Sequence, residues 1–188
     1  MNESNPRKTR LFAFDVEADG PCPGLYSMVS IGIVEMSSQG LGAQFYGQFK
    51  PISDLWIPQA LSVSGFSRAQ TLQFPDPLLE LQRLEQWLGL QSNERAVLVS
   101  DNPAFDWQWI NYYCHRFLKH NPFGHSARRI GDVYAGFQGK LSETNGWKKW
   151  RKTKHTHNAL EDAKGVAEGW IALSKNLKTH SSPSSSKF

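Results

Sequence analysis

Cysteine is scarce in this 188-residue chain, and long apolar runs are missing. The two cysteines, Cys22 and Cys114, stand far apart and match no metal-binding spacing, which excludes a disulfide framework and a cysteine-based zinc module. No apolar stretch approaches the length of a bilayer span, so neither a membrane segment nor a membrane partner is expected. Residues 1–10 are polar and carry no apolar core of a secretory leader. Together these absences point to a cytoplasmic protein with free thiols. Internal repeats are lacking too, as is any acidic excess: 21 Lys and Arg stand against 17 Asp and Glu, for a formal charge of +4 and a pI near 9.1. That mild basic balance permits a polyanionic partner without demanding one. Tryptophan is plentiful, with seven residues that suit either a core or a stacking surface for bases. The length and the 39% hydrophobic content fit one globular domain.

Periodicity predicts the elements in order. Residues 11–17, 28–36 and 44–50 read as strands joined by short links, an antiparallel meander. Residues 58–63 read as a short helix ended by Gly65, with Ser67 as cap for another turn. Residues 76–90 carry Leu78, Leu81, Leu84 and Leu88 at helical spacing behind Asp76 as N-cap and Pro77 at the first helical position. Residues 96–100 suit a buried strand, and residues 103–119 a helix crowded with aromatics. Residues 128–134 are read as a short strand and 140–157 as a polar, basic loop. Residues 158–177 form the last helix, opened by the capping-box pattern of Asn158 and Glu161. The expected fold is α/β, with a mixed five-stranded sheet flanked by helices. Residues 1–9 are expected to be a flexible arm, 10–177 the folded domain, and 178–188 a disordered, Ser-rich tail.

The chemistry centres on Asp15 and Glu17. Residues two apart on a strand share a face, so both carboxylates point one way from the end of an apolar run. Buried together they repel and lose hydration, a cost that a hard divalent cation relieves. The plainer reading is a solvated strand end. Asp106 falls in the first turn of the helix that follows the strand at 96–100, near the strand edge where α/β folds place ligands. By itself it does no more than favour the helix dipole. Asp162 falls one turn inside the last helix, and His157 just outside its start; taken alone, these are a surface acid and a loop histidine. Jointly, four carboxylates suit two divalent ions about 4 Å apart. His157, with an ordinary pKa of about 6.5, suits a base on a movable loop.

The segments Asp15-x-Glu17, Asn102-x-x-Phe105-Asp106 and His157-x-Ala159-Leu160-x-Asp162 resemble the three motifs of the DEDDh family of 3′→5′ exonucleases, in the ribonuclease H-like superfamily. Residues 58–66 also resemble the short helix and turn that the family places between its first two motifs. The resemblance covers roughly residues 10–175. It implies Mg²⁺ or Mn²⁺, two ions, held by Asp15, Glu17 and Asp162. Asp15 bridges both, Asp106 completes the site partly through water, and His157 is the general base. His155 is a rival base, and the family spacing selects His157. The implied reaction releases 5′-nucleoside monophosphates from a single-stranded 3′ end, and many such relatives are homodimers. Two departures bear on substrate preference: Ala18-Asp19 stand where many relatives have Thr-Thr, and Asp101 where many have His. Asp19 adds a negative charge near the mouth of the site, against phosphate or as a further ligand.

Five Lys or Arg fall within residues 148–154, interleaved with Trp150 and next to Trp147. Most such runs are solvated loops, but this one leads directly into the histidine, where cations and indoles guide a strand. Lys149, Arg151 and Lys152 are therefore expected to bind substrate, together with Ala18, Phe66 and Asn102. Trp56 is a further candidate for the terminal nucleotide, though as readily core. The reading leans towards RNA, or RNA and DNA alike, since no residue visibly reads a 2′-hydroxyl. The rival from another class is a nucleic-acid-binding subunit that keeps the fold and has lost turnover.

Overall fold

The computed structural model describes residues 7–180. β1 (Lys8–Ala18), β2 (Met28–Ser37) and β3 (Gly40–Gln48) form the antiparallel meander. β4 (Glu94–Ser100) and β5 (Ala127–Arg129) join on the other side of β1 in parallel, so the sheet order is β3-β2-β1-β4-β5. β1 is thus a central strand, covered on both faces. Phe12, Phe14 and Val16 enter one core, with Leu81, Leu84 and Trp109. Ala13 enters the other, with Val34, Val99 and Trp170. Double burial is why this strand reads as a nearly continuous apolar run until Asp15.

The helices form two outer layers. On the first face lie α3 (Pro77–Leu88) and α4 (Pro103–Tyr113), the latter widening into a π-helical turn at Cys114–Leu118; the short α1 (Pro58–Val63) and α2 (Arg68–Thr71) precede them. α5 (Ile130–Gln138) and the long α6 (Ala159–His180) cover the second. Asp76 Oδ1 accepts the Leu78 amide at 2.8 Å, with Pro77 first in the helix, as its sequence predicts. Leu81, Leu84 and Leu88 are buried, whereas Leu78 stays exposed at the helix start. Ser67 and Gln70 close a reciprocal capping box on α2. At α6, Asn158 Oδ1 accepts the amides of Leu160 and Glu161, but Glu161 turns to Lys164 at 2.6 Å, so only half the predicted box forms.

Three expectations change. The strand predicted over 128–134 is only three residues long, and α5 follows at once. Ile130 and Tyr134, four apart, bury on one helical face, a spacing that the apolar content of the segment had hidden. The sheet also begins earlier than the arm predicted over 1–9 allows. Lys8 and Thr9 pair with Glu94 and Arg95, and the Lys8 amine meets Glu94 at 3.1 Å. At the other end α6 runs on through Lys178 to His180; the rest of the predicted tail, 181–188, lies outside the described residues, as do 1–6 of the arm. Third, the basic segment is not wholly loop: Gly146–Trp150 is a 3₁₀ turn whose Trp147 is fully buried. Its ring fits because α6 carries Gly169 there; a Cβ would stand 2.5 Å from the indole. Among the described residues no helix is long and apolar enough to cross a membrane.

Candidate active site

Asp15 and Glu17 leave β1 on the α6 face, as period-two geometry requires. The register places Asp15 opposite Gly32 of β2. That glycine decides how near α6 can come: a Cβ on Gly32 would lie 2.2 Å from the Ala159 carbonyl oxygen and 2.4 Å from Leu160 Cα. With hydrogen in its place, the first turn of α6 rests on the sheet. Ala159 and Ala163 are fully buried against it, and Asp162 arrives beside the strand carboxylates. One oxygen each from Asp15, Glu17 and Asp162 falls within 4.8 Å of the others. Asp106 sits in the first turn of α4 and accepts the Val16 amide at 3.2 Å. It lines the same cleft but lies outside that tight trio.

Electrostatics mark the strand acids as short of positive charge. Burial pushes the Asp15 carboxyl well above the ordinary range, and Asp106, Glu17 and Asp162 push it further. Burial, then Asp162 and Asp106, raises Glu17 to about 8. Burial raises Asp106 to about 7. Carboxyls that resist ionisation in each other's company suit a divalent cation, which replaces their protons. The donor set, all carboxylate oxygen, fits a hard ion such as Mg²⁺ or Mn²⁺.

Asp162 is treated differently. Its Oδ1 accepts from the Arg151 guanidinium and from the Thr156 amide at 3.2 Å, and His155 Nδ1 lies 2.9 Å from it; Oδ2 accepts the His157 amide at 2.8 Å. Arg151 reaches it by crossing α6 over Gly165, where a Cβ would lie 2.2 Å from its Nε. His157 adopts a left-handed φ of 56°, and its exposed ring meets that of His155 edge-on at 4.4 Å between centroids. Both histidines line the cleft, so geometry does not separate the rival bases by position.

The cleft measures about 580 Å³. Opposite the acids it has an apolar wall of Ile57, Ala60, Val63, Phe105 and Pro21, suited to covering a flat ring. Of the expected substrate residues, Ala18, Asn102 and Arg151 line this cleft. Phe66 does not; its ring packs on Phe74 at 5.0 Å. Lys149 and Lys152 line a separate hollow beside α6 with Trp150 and Lys175. Trp56 stays outside the cleft with the Arg68 guanidinium 5.9 Å from its ring. Asp19 proves to be structural. It is fully buried, accepts the Ser27 amide at 2.6 Å and pairs with Arg68 at 2.9 Å, so it neither repels phosphate nor offers a ligand. Asp101 lines the cleft and pairs with Lys148 at 2.9 Å. The sequence reading missed Ile57, Ala60 and Val63; the adjoining Pro58 was the available signal, since it starts the helix that presents them.

The 3′-5′ exoribonuclease Rv2179c-like domain family matches residues 11–173, nearly all of the described chain. The chain belongs to that family. It is also 37% identical over 177 residues to the 3′-5′ DNA exonuclease Cap18 of Escherichia coli, covering 86% of this chain and 89% of that protein. Like its relatives in this exonuclease family, it has a fold shared with solved nucleases. The nuclease domain of 3′hExo, a DEDDh family member bound to rAMP, superposes with a TM-score of 0.72 at 15% identity, over 89% of this chain and 92% of that one. The zinc-bound complex of E. coli exonuclease I with single-stranded DNA gives 0.68 at 18% identity, over 93% of this chain but only 41% of that one. The Rv2179c-like chain thus spans about two fifths of exonuclease I. The five-stranded α/β fold, shared with these exonucleases, and membership of a 3′→5′ exonuclease family agree with the sequence reading.

Proposed function

We propose that this exonuclease removes nucleotides from single-stranded 3′ ends of both DNA and RNA by metal-dependent hydrolysis. The observation that carries the reading is the convergence of Asp15, Glu17 and Asp162 within 4.8 Å, in a cleft that His157 also lines. Asp15, Glu17, Asp162 and Asp106 would hold two divalent ions, Mg²⁺ or Mn²⁺, which when bound would supply Lewis acidity and charge neutralisation for phosphodiester hydrolysis. The chain's own residues do the rest. His157 takes the proton of the attacking water; its exposed ring on a short segment can approach once the strand is seated. The His157 amide and Arg151 hold Asp162 in place. The wall of Ile57, Ala60, Val63 and Phe105 covers the terminal base and keeps water off the far side of the phosphate. Asn102, at the cleft rim, and the Ala18 backbone contact the terminal nucleotide. Lys149 and Lys152 steer the upstream backbone from their position beside α6.

Acceptance of both sugars is supported by the DNA named for the Cap18 relative and the RNA named for the family. The test uses 5′-labelled single-stranded DNA and RNA of one sequence with Mg²⁺, Mn²⁺ or chelator. A ladder shortening from the 3′ end on both substrates is expected, lost with chelator. His157→Ala should slow it by about 10²–10⁴-fold while substrate binding persists. Intact substrate that is nonetheless bound would leave only the binding subunit standing.

A further inference from the structure

His155 has no role in the reaction as derived above, yet it is placed as a ligand. Its Nδ1 lies 2.9 Å from Asp162 Oδ1, and one donor atom from each of His155, His157 and Asp162 falls within 4.8 Å of the others. We propose that these three residues form a second metal site, selective for a borderline transition ion such as Zn²⁺, and that its occupation shuts the nuclease off.

The donor chemistry separates this set from the carboxylate trio. Two imidazole nitrogens and one carboxylate oxygen are a common set for Zn²⁺, and three protein ligands leave the fourth tetrahedral position open. Mg²⁺ prefers oxygen and dehydrates reluctantly, so it gains little here. Bonds of about 2.0–2.1 Å at a tetrahedral ion require donors about 3.4 Å apart, a modest adjustment from what is observed. Both side chains can make it: the His155 side chain is 57% exposed, and His157 is exposed.

The backbone between them is already bent for chelation. In an extended segment, residues 155 and 157 would share a side but project along parallel lines. The left-handed φ of 56° at His157 instead turns its ring onto that of His155, with centroids 4.4 Å apart. The amides of Thr156 and His157 both donate to Asp162, so the loop is pinned to its own third ligand. Arg151 opposes binding, because its guanidinium shares Oδ1. A dication therefore enters beside a fixed positive charge, which suits a reversible, regulatory site and not a permanent structural one.

The two metal sites exclude each other, since both need Asp162 and the second also captures the base. That consequence rests on the proposed function; the site itself does not. Binding is therefore measured first, without nucleic acid, on the full chain stripped of metal. Zn²⁺ is titrated by calorimetry and Co²⁺ by visible absorption, for the wild type, His155→Ala, His157→Ala and Asp15→Asn. The expected result is at least a tenfold loss of Zn²⁺ affinity in each histidine variant, less than a threefold change in Asp15→Asn, and tetrahedral-type Co²⁺ bands in the wild type and Asp15→Asn but in neither histidine variant. Zn²⁺ affinity that survives in His155→Ala and falls in Asp15→Asn would place the ion among the strand acids and overturn the proposal, as would absence of binding to the wild type. With Mg²⁺-supported hydrolysis as readout, His155→Ala should raise the inhibitory Zn²⁺ concentration at least tenfold. Equal inhibition of both proteins would overturn the switch.

Discussion

Asp15 and Glu17 accept no hydrogen bond among the described residues, whereas Asp162, within 4.8 Å of them, accepts from Arg151, Thr156 and His157 and has His155 Nδ1 at 2.9 Å. The cleft thus has a strand wall whose acids bond no cation directly, Arg151 offsetting Asp15 only through space, and a helix wall whose acid pairs with that arginine. The strand acids hold protons more tightly than usual, Asp15 well above its ordinary range and Glu17 at about 8, because burial and mutual repulsion disfavour their charged forms. Asp162 faces the same neighbours with a guanidinium attached. The strand wall would gain most from a bound cation, and the helix wall presents a carboxylate that Arg151 and the His157 amide hold in orientation.

The comparison breaks most directly by neutralising one acid on each wall. Asp15→Asn and Asp162→Asn should each lower hydrolysis by about 10³-fold or more, the scale of losing an essential catalytic group. Their effects on the metal-free fold should have opposite signs. Asp162→Asn strips a buried charged partner from Arg151 and should destabilise by about 3 kcal/mol. Asp15→Asn removes a repelled buried carboxyl and should raise the melting temperature in chelator. Two destabilised variants in thermal melts would refute the contrast.

Gly32→Ala tests how the walls are brought together. A Cβ 2.2 Å from the Ala159 carbonyl must push α6 off the sheet. The expected cost is about 2 kcal/mol in denaturant unfolding and about 100-fold in hydrolysis, since an ångström of misplacement costs that much. Arg151→Lys keeps the charge on the helix wall but loses the planar fork. Hydrolysis should fall by about tenfold, read from the Mg²⁺ dependence of the rate.

The smallest effect is a pH dependence carried by Glu17 on the strand wall and Asp106 on α4. Folding raises Glu17 to about 8 and Asp106 to about 7. The folded chain therefore keeps protons that the unfolded chain has released above about pH 4.5. Their contribution to stability is present below that pH and is lost as pH rises through 7 to 8. In chelator the melting temperature should drift down by a few degrees over that window, and saturating Mg²⁺ should flatten the drift, because it binds the ionised acids. An equal slope with and without metal would show that the strand acids do not bind it.

Much of this was legible in the residues. Strand periodicity put Asp15 and Glu17 on one face, turn chemistry placed Asp76 and Ser67 as caps, and motif spacing singled out Asp106, His157 and Asp162. Other features were not. Asp19 looks like one more site acid in sequence, and only the Arg68 guanidinium, 49 positions away, shows it to be structural. Phe66 was expected at the terminal nucleotide and instead packs on Phe74. Lys149, Arg151 and Lys152 read alike in a basic run, yet only Arg151 turns into the cleft, because Gly165 leaves it a passage across α6.

The sequence alone determined which candidate ligands this protein has, their order, and the layer fold that holds them, because strand and helix periods and short-range spacing are local properties. Tertiary structure decided which acids are left uncompensated, how close α6 comes through Gly32, and that His155 joins His157 and Asp162. Those outcomes depend on contacts between segments distant in the chain, and on single atoms present or absent where backbones meet.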